Sequence, residues 1–247
     1  MHLPDPTFPP LLTGHPVKAP ERAFDRACAS AAQSNAGAGD VFWGRDTSRM
    51  DWAIILEPDV PAAQAQQMLM VAEVAFAESF GAIAPPEVGV HFRWPNEILI
   101  NGAKAGGLAM KFGEQGDDGF PRWLVLGLSL NIRRADRELE PGAAPEETDL
   151  TEEGCAELDR TQLIESLSRH FLNHVHNWNE EGFAPFHELW MSKAQNAGEV
   201  IELEWAGEHH TGIFLTIDDE ANLILKKDGG TVALPLAEFS KARDETA

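Results

Sequence analysis

Residues 88–112 read VGVHFRWPNEILINGAKAGGLAMKF. Short apolar runs alternate here with turn residues, and Asn101-Gly102 between two such runs is the strongest short hairpin signal a sequence carries. The stretch predicts three successive strands, VGVHFRWP, EILING and AKAGGLAMKF, and RWLVLGLSLNI at 122–132 predicts a fourth. Three features go beyond what a hairpin needs. Trp94-Pro95-Asn96 sets a rigid φ before an amide that both donates and accepts hydrogen bonds. Lys104 stands alone in an apolar run. Gly106-Gly107 interrupts a strand, which is tolerated where a bulge forms or where another group must approach the backbone. Each feature also has a plain reading, as a turn, a surface lysine or a bulge.

Outward from this stretch the pattern becomes helical. PDVPAAQAQQMLMVAEVAFAESFGA, before it, predicts one helix with Pro61 near its first turn and Gly81 at its end. Earlier still, DVFWG and DWAIILEP are β-rich runs, and APERAFDRACASAAQ has the spacing of an amphipathic helix. Residues 1–20 are proline-rich and read as an extended arm. After the strands comes an acidic Pro/Gly-bearing segment, RELEPGAAPEETDLTEEGCAELD, expected to skirt the surface. Helices are predicted at RTQLIESLSRHFLNHVHNW and around APFHELWMSKA, and from about Gly198 four or five short strands predict a small β-barrel or sandwich. Two domains follow from this pattern: an α+β domain over 1–195 and a small β domain over 196–247.

Nineteen basic residues against forty acidic ones give a formal net charge of -21 in 247 residues. Such a field repels phosphate backbones and anionic membranes, so nucleic acid and membrane surfaces are not expected partners. No apolar run approaches the roughly 20 residues of a membrane span. MHLPDPTFPPLLTGHP lacks the layout of a signal peptide. Cys28 and Cys155 form no CxxC pair, which fits a reducing compartment and a cytoplasmic location. His170 and His174 have helical i, i+4 spacing, but no third metal ligand is evident and packed or solvated histidines explain them better.

The chemistry concentrates on the 88–132 strands. Glu97 beside Asn96 could help hold Mg²⁺, whose preference for hard oxygens is met by one carboxylate plus substrate phosphates. A lysine at 104 suits a carboxylate and a phosphoryl group that react with one another. Gly127 interrupts a buried strand that Asn131 closes with a polar amide.

Arg-Trp-Pro-Asn-Glu at 93–97, Lys-Ala-Gly-Gly-Leu at 104–108 and Leu-Gly-Leu-Ser-Leu-Asn-Ile at 126–132 together resemble the core of biotin protein ligases, in the biotin/lipoate protein ligase superfamily. GFAPFHELW is similar to that family's linker into its last domain. The resemblance spans about residues 20–240. It implies an α+β fold, a mixed sheet with helices shared with class II aminoacyl-tRNA synthetases, followed by a small SH3-like β-barrel. The implied activity is ATP-dependent conversion of a carboxylic acid, biotin first or a lipoate-like acid, to an acyl-adenylate, with transfer to a lysine of a biotinyl or lipoyl carrier domain. Lys104 then corresponds to the lysine at the reacting carboxylate and α-phosphate. Arg93, Trp94, Asn96 and Glu97 correspond to the phosphate and metal side, the Gly106-Gly107-Leu108 backbone and Gly127 to the acid's floor, and Asn131 to an adenine contact.

Two departures bear on the acid. The family's glycine- and arginine-rich loop over the adenylate is replaced by RDTSRM, which leaves Arg45 and Arg49 as its cations, and KAPERAF stands where the family has a Ser-Thr-Asn element at the ureido ring. Use of another acid, or a non-catalytic binding role, is the alternative. No helix-turn-helix precedes the domain, which argues against a repressor role. A homodimer stays open, since some family members pair through a sheet edge.

Overall fold

The computed structural model describes residues 3–134 and 146–244, the last four of these as backbone alone. The meander predicted from 88–132 is present: β4 (Val90–Arg93), β5 (Glu97–Ile100), β6 (Ala103–Phe112) and β7 (Leu124–Asn131) pair antiparallel in turn. Asn101 and Gly102 turn the β5–β6 hairpin at φ of 50° and 92°, the left-handed pair that matches strand twist. Beyond β7 the sheet continues through β3 (Arg49–Leu56), β2 (Asp40–Gly44) and β1 (Thr13–Val17), in the order β1-β2-β3-β7-β6-β5-β4. The proline-rich start is therefore partly a strand rather than a simple arm. β1 pairs parallel with β2 at the sheet edge, where Pro16 lacks an N–H without breaking the ladder.

Strand alternation gives the sheet two faces. Met50, Trp52 and Ile54 of β3 join Leu124, Leu126, Leu128 and Leu130 of β7 in the main core, with α3 (Met68–Gly81) and α4 (Arg160–Glu181). The intervening residues face the other way, where α1 (Ala23–Ala32) covers Ala53, Ile55 and Val125. Near Arg93 and Lys104 that second face is open, each side chain being 43% exposed.

The long helix expected from residue 58 is broken into α2 (Ala62–Ala65) and α3. At the break, Gln66 and Gln67 aim their side-chain amides at the carbonyls of Glu220 (2.7 Å) and Asp219 (2.5 Å). α4 opens on a capping box, Asp159 with Gln162, and runs three residues past Trp178. Of the acidic segment, 135–145 lie outside the described residues. The remainder does not simply skirt the surface, because Thr148, Asp149, Leu150 and Cys155 are buried.

Among the described residues the C-terminal strands number four: β8 (Val200–Trp205), β9 (Glu208–Ile217), β10 (Leu223–Lys227) and β11 (Gly230–Leu234). They form a small antiparallel sheet ordered β11-β10-β9-β8, and a helix not expected from the sequence, α6 (Ala237–Asp244), follows. The division expected at 195 and 196 falls between α5 (Ala184–Met191) and β8. Across it the apolar core is continuous: Phe214, Leu223 and Leu225 belong to the same cluster as Phe92 and Trp190. Trp94 pins the junction, donating from Nε1 to the Ala221 carbonyl at 3.0 Å while its ring lies 4.5 Å from that of Trp205.

The glycine pair in β6 is explained by a bulge. Ile98 faces Gly106 while Leu99 faces Lys104, so Ala105 is the extra residue. A Cβ on Gly106 would stand 2.1 Å from the Ser129 carbonyl oxygen and 2.8 Å from the Leu130 Cα. Behind the sheet, Glu73 of α3 is fully buried. One of its oxygens accepts from Trp190 Nε1 at 2.5 Å and the other has no partner among the described residues. Burial pushes its carboxyl well above the ordinary 4.5.

Two outcomes are expected. Gly106→Ala forces backbone apart and lowers stability by about 2 kcal/mol or more, read as a shifted urea midpoint. Glu73→Gln mimics the protonated carboxyl. The wild-type folded state holds that proton more tightly than the unfolded chain, so wild-type stability falls as pH rises above 4.5. The melting temperature of Glu73→Gln should therefore match wild type below that pH and exceed it increasingly above; a constant gap would refute this.

Candidate functional site

One register line crosses the open face. Arg93 stands opposite Glu97, Glu97 opposite Gly107, Gly107 opposite Ser129, and Ser129 opposite Asp51. Five neighbouring strands thus contribute one residue each, spaced by about 4.8 Å. The bulge at Ala105 brings Lys104 onto the same face beside the row. Its Nζ lies 2.5 Å from Glu97 Oε1, and Arg93 Nη1 donates to Glu97 Oε2 at 3.0 Å. Two cations share one carboxylate, so this end of the row carries one positive charge in excess.

At the other end Arg22, which caps α1, reaches down to the strands. Its Nε and Nη2 donate to the two Asp51 oxygens at 3.0 and 3.2 Å, and Nη2 also donates to Ser129 Oγ at 3.0 Å. Asp51 further accepts from the Ala23 N–H at 3.0 Å, so it fixes both the start of α1 and the guanidinium. Between α1 and the strands lies a cavity of about 140 Å³, lined among others by Arg22, Phe24, Asp51, Gly107, Gly127 and Ser129. Phe24 covers Gly127 closely, since a Cβ there would meet its ring at 2.7 Å.

β2 and β3 are joined by Arg45, Asp46, Thr47 and Ser48 alone. Asp46 Oδ1 accepts from the Ser48 N–H and hydroxyl at 2.9 and 2.7 Å, and the Ser48 carbonyl accepts from the N–H groups of Ile132 and Arg133, each at 2.9 Å. Burial works to raise the Asp46 carboxyl, but the Ser48 bonds and the charges of Arg49 and Arg22 bring it below its ordinary range. The connection is a short turn sewn to the end of β7.

Arg93, Glu97, Lys104, Gly107, Gly127 and Asn131 are brought to one face, and Arg49 joins them as the register partner of Asn131. Asn96 serves the floor: its Nδ2 donates to the Leu108 carbonyl at 2.7 Å and its own carbonyl accepts from the Leu108 N–H at 2.8 Å. Gly106 and Leu108 contribute backbone only, the Leu108 side chain lying in the main core.

Two expected site residues stand elsewhere. Trp94 follows Phe92 by two and shares its core face, where it binds the C-terminal sheet instead of a ligand. Arg45 follows Trp43 by two, stacks 5.0 Å over its ring, and is gripped by both oxygens of Asp5 at 2.6 and 2.8 Å. As for Mg²⁺, both Glu97 oxygens are taken by cations, and no group of three His, Cys, Asp or Glu among the described residues could hold a metal. Glu97 acts here as the counter-ion that holds Lys104 and Arg93. His174 is buried and lies 3.0 Å from a Glu78 oxygen; burial lowers its pKa.

Sequence reading missed Arg22, Asp51 and Ser129. A signal existed for two of them, as Asp51 and Ser129 are the polar members of otherwise apolar strands, in the phase of Gly127 and Asn131.

A family model for the biotin/lipoate A/B protein ligase family matches residues 8–192. A biotin--[acetyl-CoA-carboxylase] ligase of Paracoccus denitrificans is 28% identical over 212 residues, covering 81% of this chain and 87% of that protein. A crystal structure of a biotin protein ligase-like protein of unknown function from Silicibacter sp. TM1040 is 37% identical with a TM-score of 0.82, over 93% of this chain and 96% of that one. The biotin protein ligase of Aquifex aeolicus in complex with biotin and ATP shares the fold, with a TM-score of 0.70 at 16% identity over 91% of this chain and 97% of that one. A pattern that runs from the edge strand through the open face to the helices behind it makes this chain a member of the biotin/lipoate A/B protein ligase family.

Proposed function

We propose that the protein activates a carboxylic acid with ATP and passes the acyl group to a lysine of a carrier-protein domain. The observation that carries this reading is the pair of cations, Lys104 and Arg93, held on one carboxylate at the open end of the row. Glu97 keeps both in place while leaving one excess positive charge for the anions that react. In the first step a carboxylate oxygen attacks the α-phosphorus, and pyrophosphate leaves. Lys104 offsets the charge that gathers there, and a fixed ammonium needs no rearrangement at that moment. In the second step an amine attacks the acyl carbonyl, and AMP leaves. Arg49 and Asn131, side by side at the end of the face, stand on the nucleotide side.

Mg²⁺ would come with the nucleotide phosphates and neutralise their charge; Glu97 would contribute an oxygen to it only by releasing Lys104 or Arg93. Biotin is the acid named for the curated relative and the first to test, with lipoate-like acids beside it. The small sheet after residue 195 is read as an SH3-like module appended to the catalytic domain.

The four-residue turn at 45–48 favours a second reading, in which the acid differs or the scaffold only binds. Nothing on that turn is long enough to fold over an adenylate. Calorimetry with a non-hydrolysable acyl-adenylate analogue separates the two: tight binding without turnover supports a binding protein.

ATP–pyrophosphate exchange with a panel of acids tests the main reading. Exchange should appear with at least one acid, and Lys104→Ala should reduce it about 100-fold or more with an unchanged melting temperature. No exchange with any acid would sink the proposal. With only a four-residue turn at 45–48, the adenylate should also escape and label exposed lysines of a bystander protein, detectable by mass spectrometry; labelling confined to one carrier lysine would refute that.

A further inference from the structure

The far ends of β3 and β7 frame a second cavity. Leu56 and Leu124 are register partners there, as Asp51 and Ser129 are in the polar row. Five residues of strand, about 17 Å, separate the two places, and Leu124 faces the main core instead of the open face. The cavity has a volume of about 220 Å³, and its walls include Leu56, Ala65, Met68, Leu124, Val175 and Trp178. Two of these walls are set in place: Leu124 is fully buried, and the Trp178 indole donates to Gln67 Oε1 at 2.7 Å. In another protein an apolar cavity of roughly 150 Å³ takes benzene, so this one has room for a single ring.

The mouth carries one sign of charge. Glu57 and Asp59 line it, and no lysine, arginine or histidine does. Neither carboxylate has a cation partner among the described residues. Glu57 Oε1 accepts from the Ala38 N–H at 3.3 Å and lies over Gly37, where a Cβ would meet it at 2.7 Å, which fixes that carboxylate and leaves Oε2 open. Val175, Trp178 and Asn179 stand in the last two turns of α4, whose final turn has no basic residue. The negative end of a 22-residue helix dipole is therefore uncompensated beside the cavity.

We propose that this cavity is a second ligand site, for a small ammonium compound that carries one aromatic ring on a short tether. The ring fills the space against Trp178 and Met68, and the ammonium meets Glu57 and Asp59 at the mouth. The tether is short because both carboxylates belong to residues adjoining the walls. A phenylalanine beside a lysine in a peptide offers the same two groups, but its cation lies many bonds away on a second side chain. The site is independent of the acid-activating reading above.

Binding to the full chain is followed by saturation-transfer NMR and calorimetry at physiological ionic strength, with 2-phenylethylamine, 2-phenylethanol, phenylacetate, ethylamine and acetyl-Phe-Lys-amide. The aromatic amine should bind about fivefold more tightly than the alcohol of equal size and about tenfold or more tightly than ethylamine. It should also exceed phenylacetate and the peptide. Glu57→Gln with Asp59→Asn, both at exposed positions, should bring the amine-to-alcohol ratio to about one. Val175→Phe, which fills the cavity, should abolish binding of both; should that variant not fold by circular dichroism, Ala38→Leu at the rim should weaken both likewise. Ethylamine binding as tightly as the aromatic amine would mean attraction to the overall charge alone and would overturn the proposal. So would an amine-to-alcohol ratio near one in the wild type or surviving the double variant, binding that survives the filled cavity, tighter binding of the peptide, or no binding of the amine.

Discussion

The register of β6 between its neighbours is the constraint on which the site depends. Glu97, Gly107, Ser129 and Asp51 share a row because Ala105 is bulged out and Gly106 lets β6 lie against the Ser129 carbonyl. Side chains alternate with a period of two, so a slip of one residue would send Lys104 and Glu97 to opposite faces. The same slip would put Leu108 and Met110 on the open side and Gly107 and Lys111 in the main core. Burial of the leucines of β7 and of Leu108 and Met110 therefore fixes the register, and the polar row follows from it.

Much of this was legible in the sequence because its signals are local. Alternation and the Asn101-Gly102 turn gave the meander, and the lysine and glycine pair marked where the polar row crosses β6. The miss at Arg22 has a physical cause, distance along the chain. Arg22 and Ser129 are 107 positions apart, and no window of sequence relates a residue before a first helix to one in the sixth strand of the chain to follow it. β1 was hidden because parallel pairing at an edge, with a proline in it, leaves no alternation to read. Trp94 and Arg45 were misplaced by phase: each lies two residues beyond a core aromatic and so shares its face.

The second region of strong pairing, at the N-terminus, serves the scaffold. Asp5 holds Arg45, the Pro4 carbonyl accepts from the Thr161 hydroxyl at 2.9 Å, and Glu165 accepts from the Thr7 N–H at 2.7 Å. These contacts strap the first residues across α4 and occupy the one cation of the 45–48 turn that points away from the open face. The turn's other neighbour, Arg49, is left on the site side.

The open face gathers Arg22, Arg49, Arg93 and Lys104 on a molecule whose formal charge is -21. Anionic reactants approaching from afar meet a repulsive field and feel the attractive one only at close range. At physiological ionic strength the field decays over about 8 Å, so salt removes the repulsion before it weakens the contacts inside the cluster. On the proposed function, capture of a nucleotide or a small acid should then quicken as salt is added, the reverse of the behaviour of a basic protein that steers its anions in from a distance.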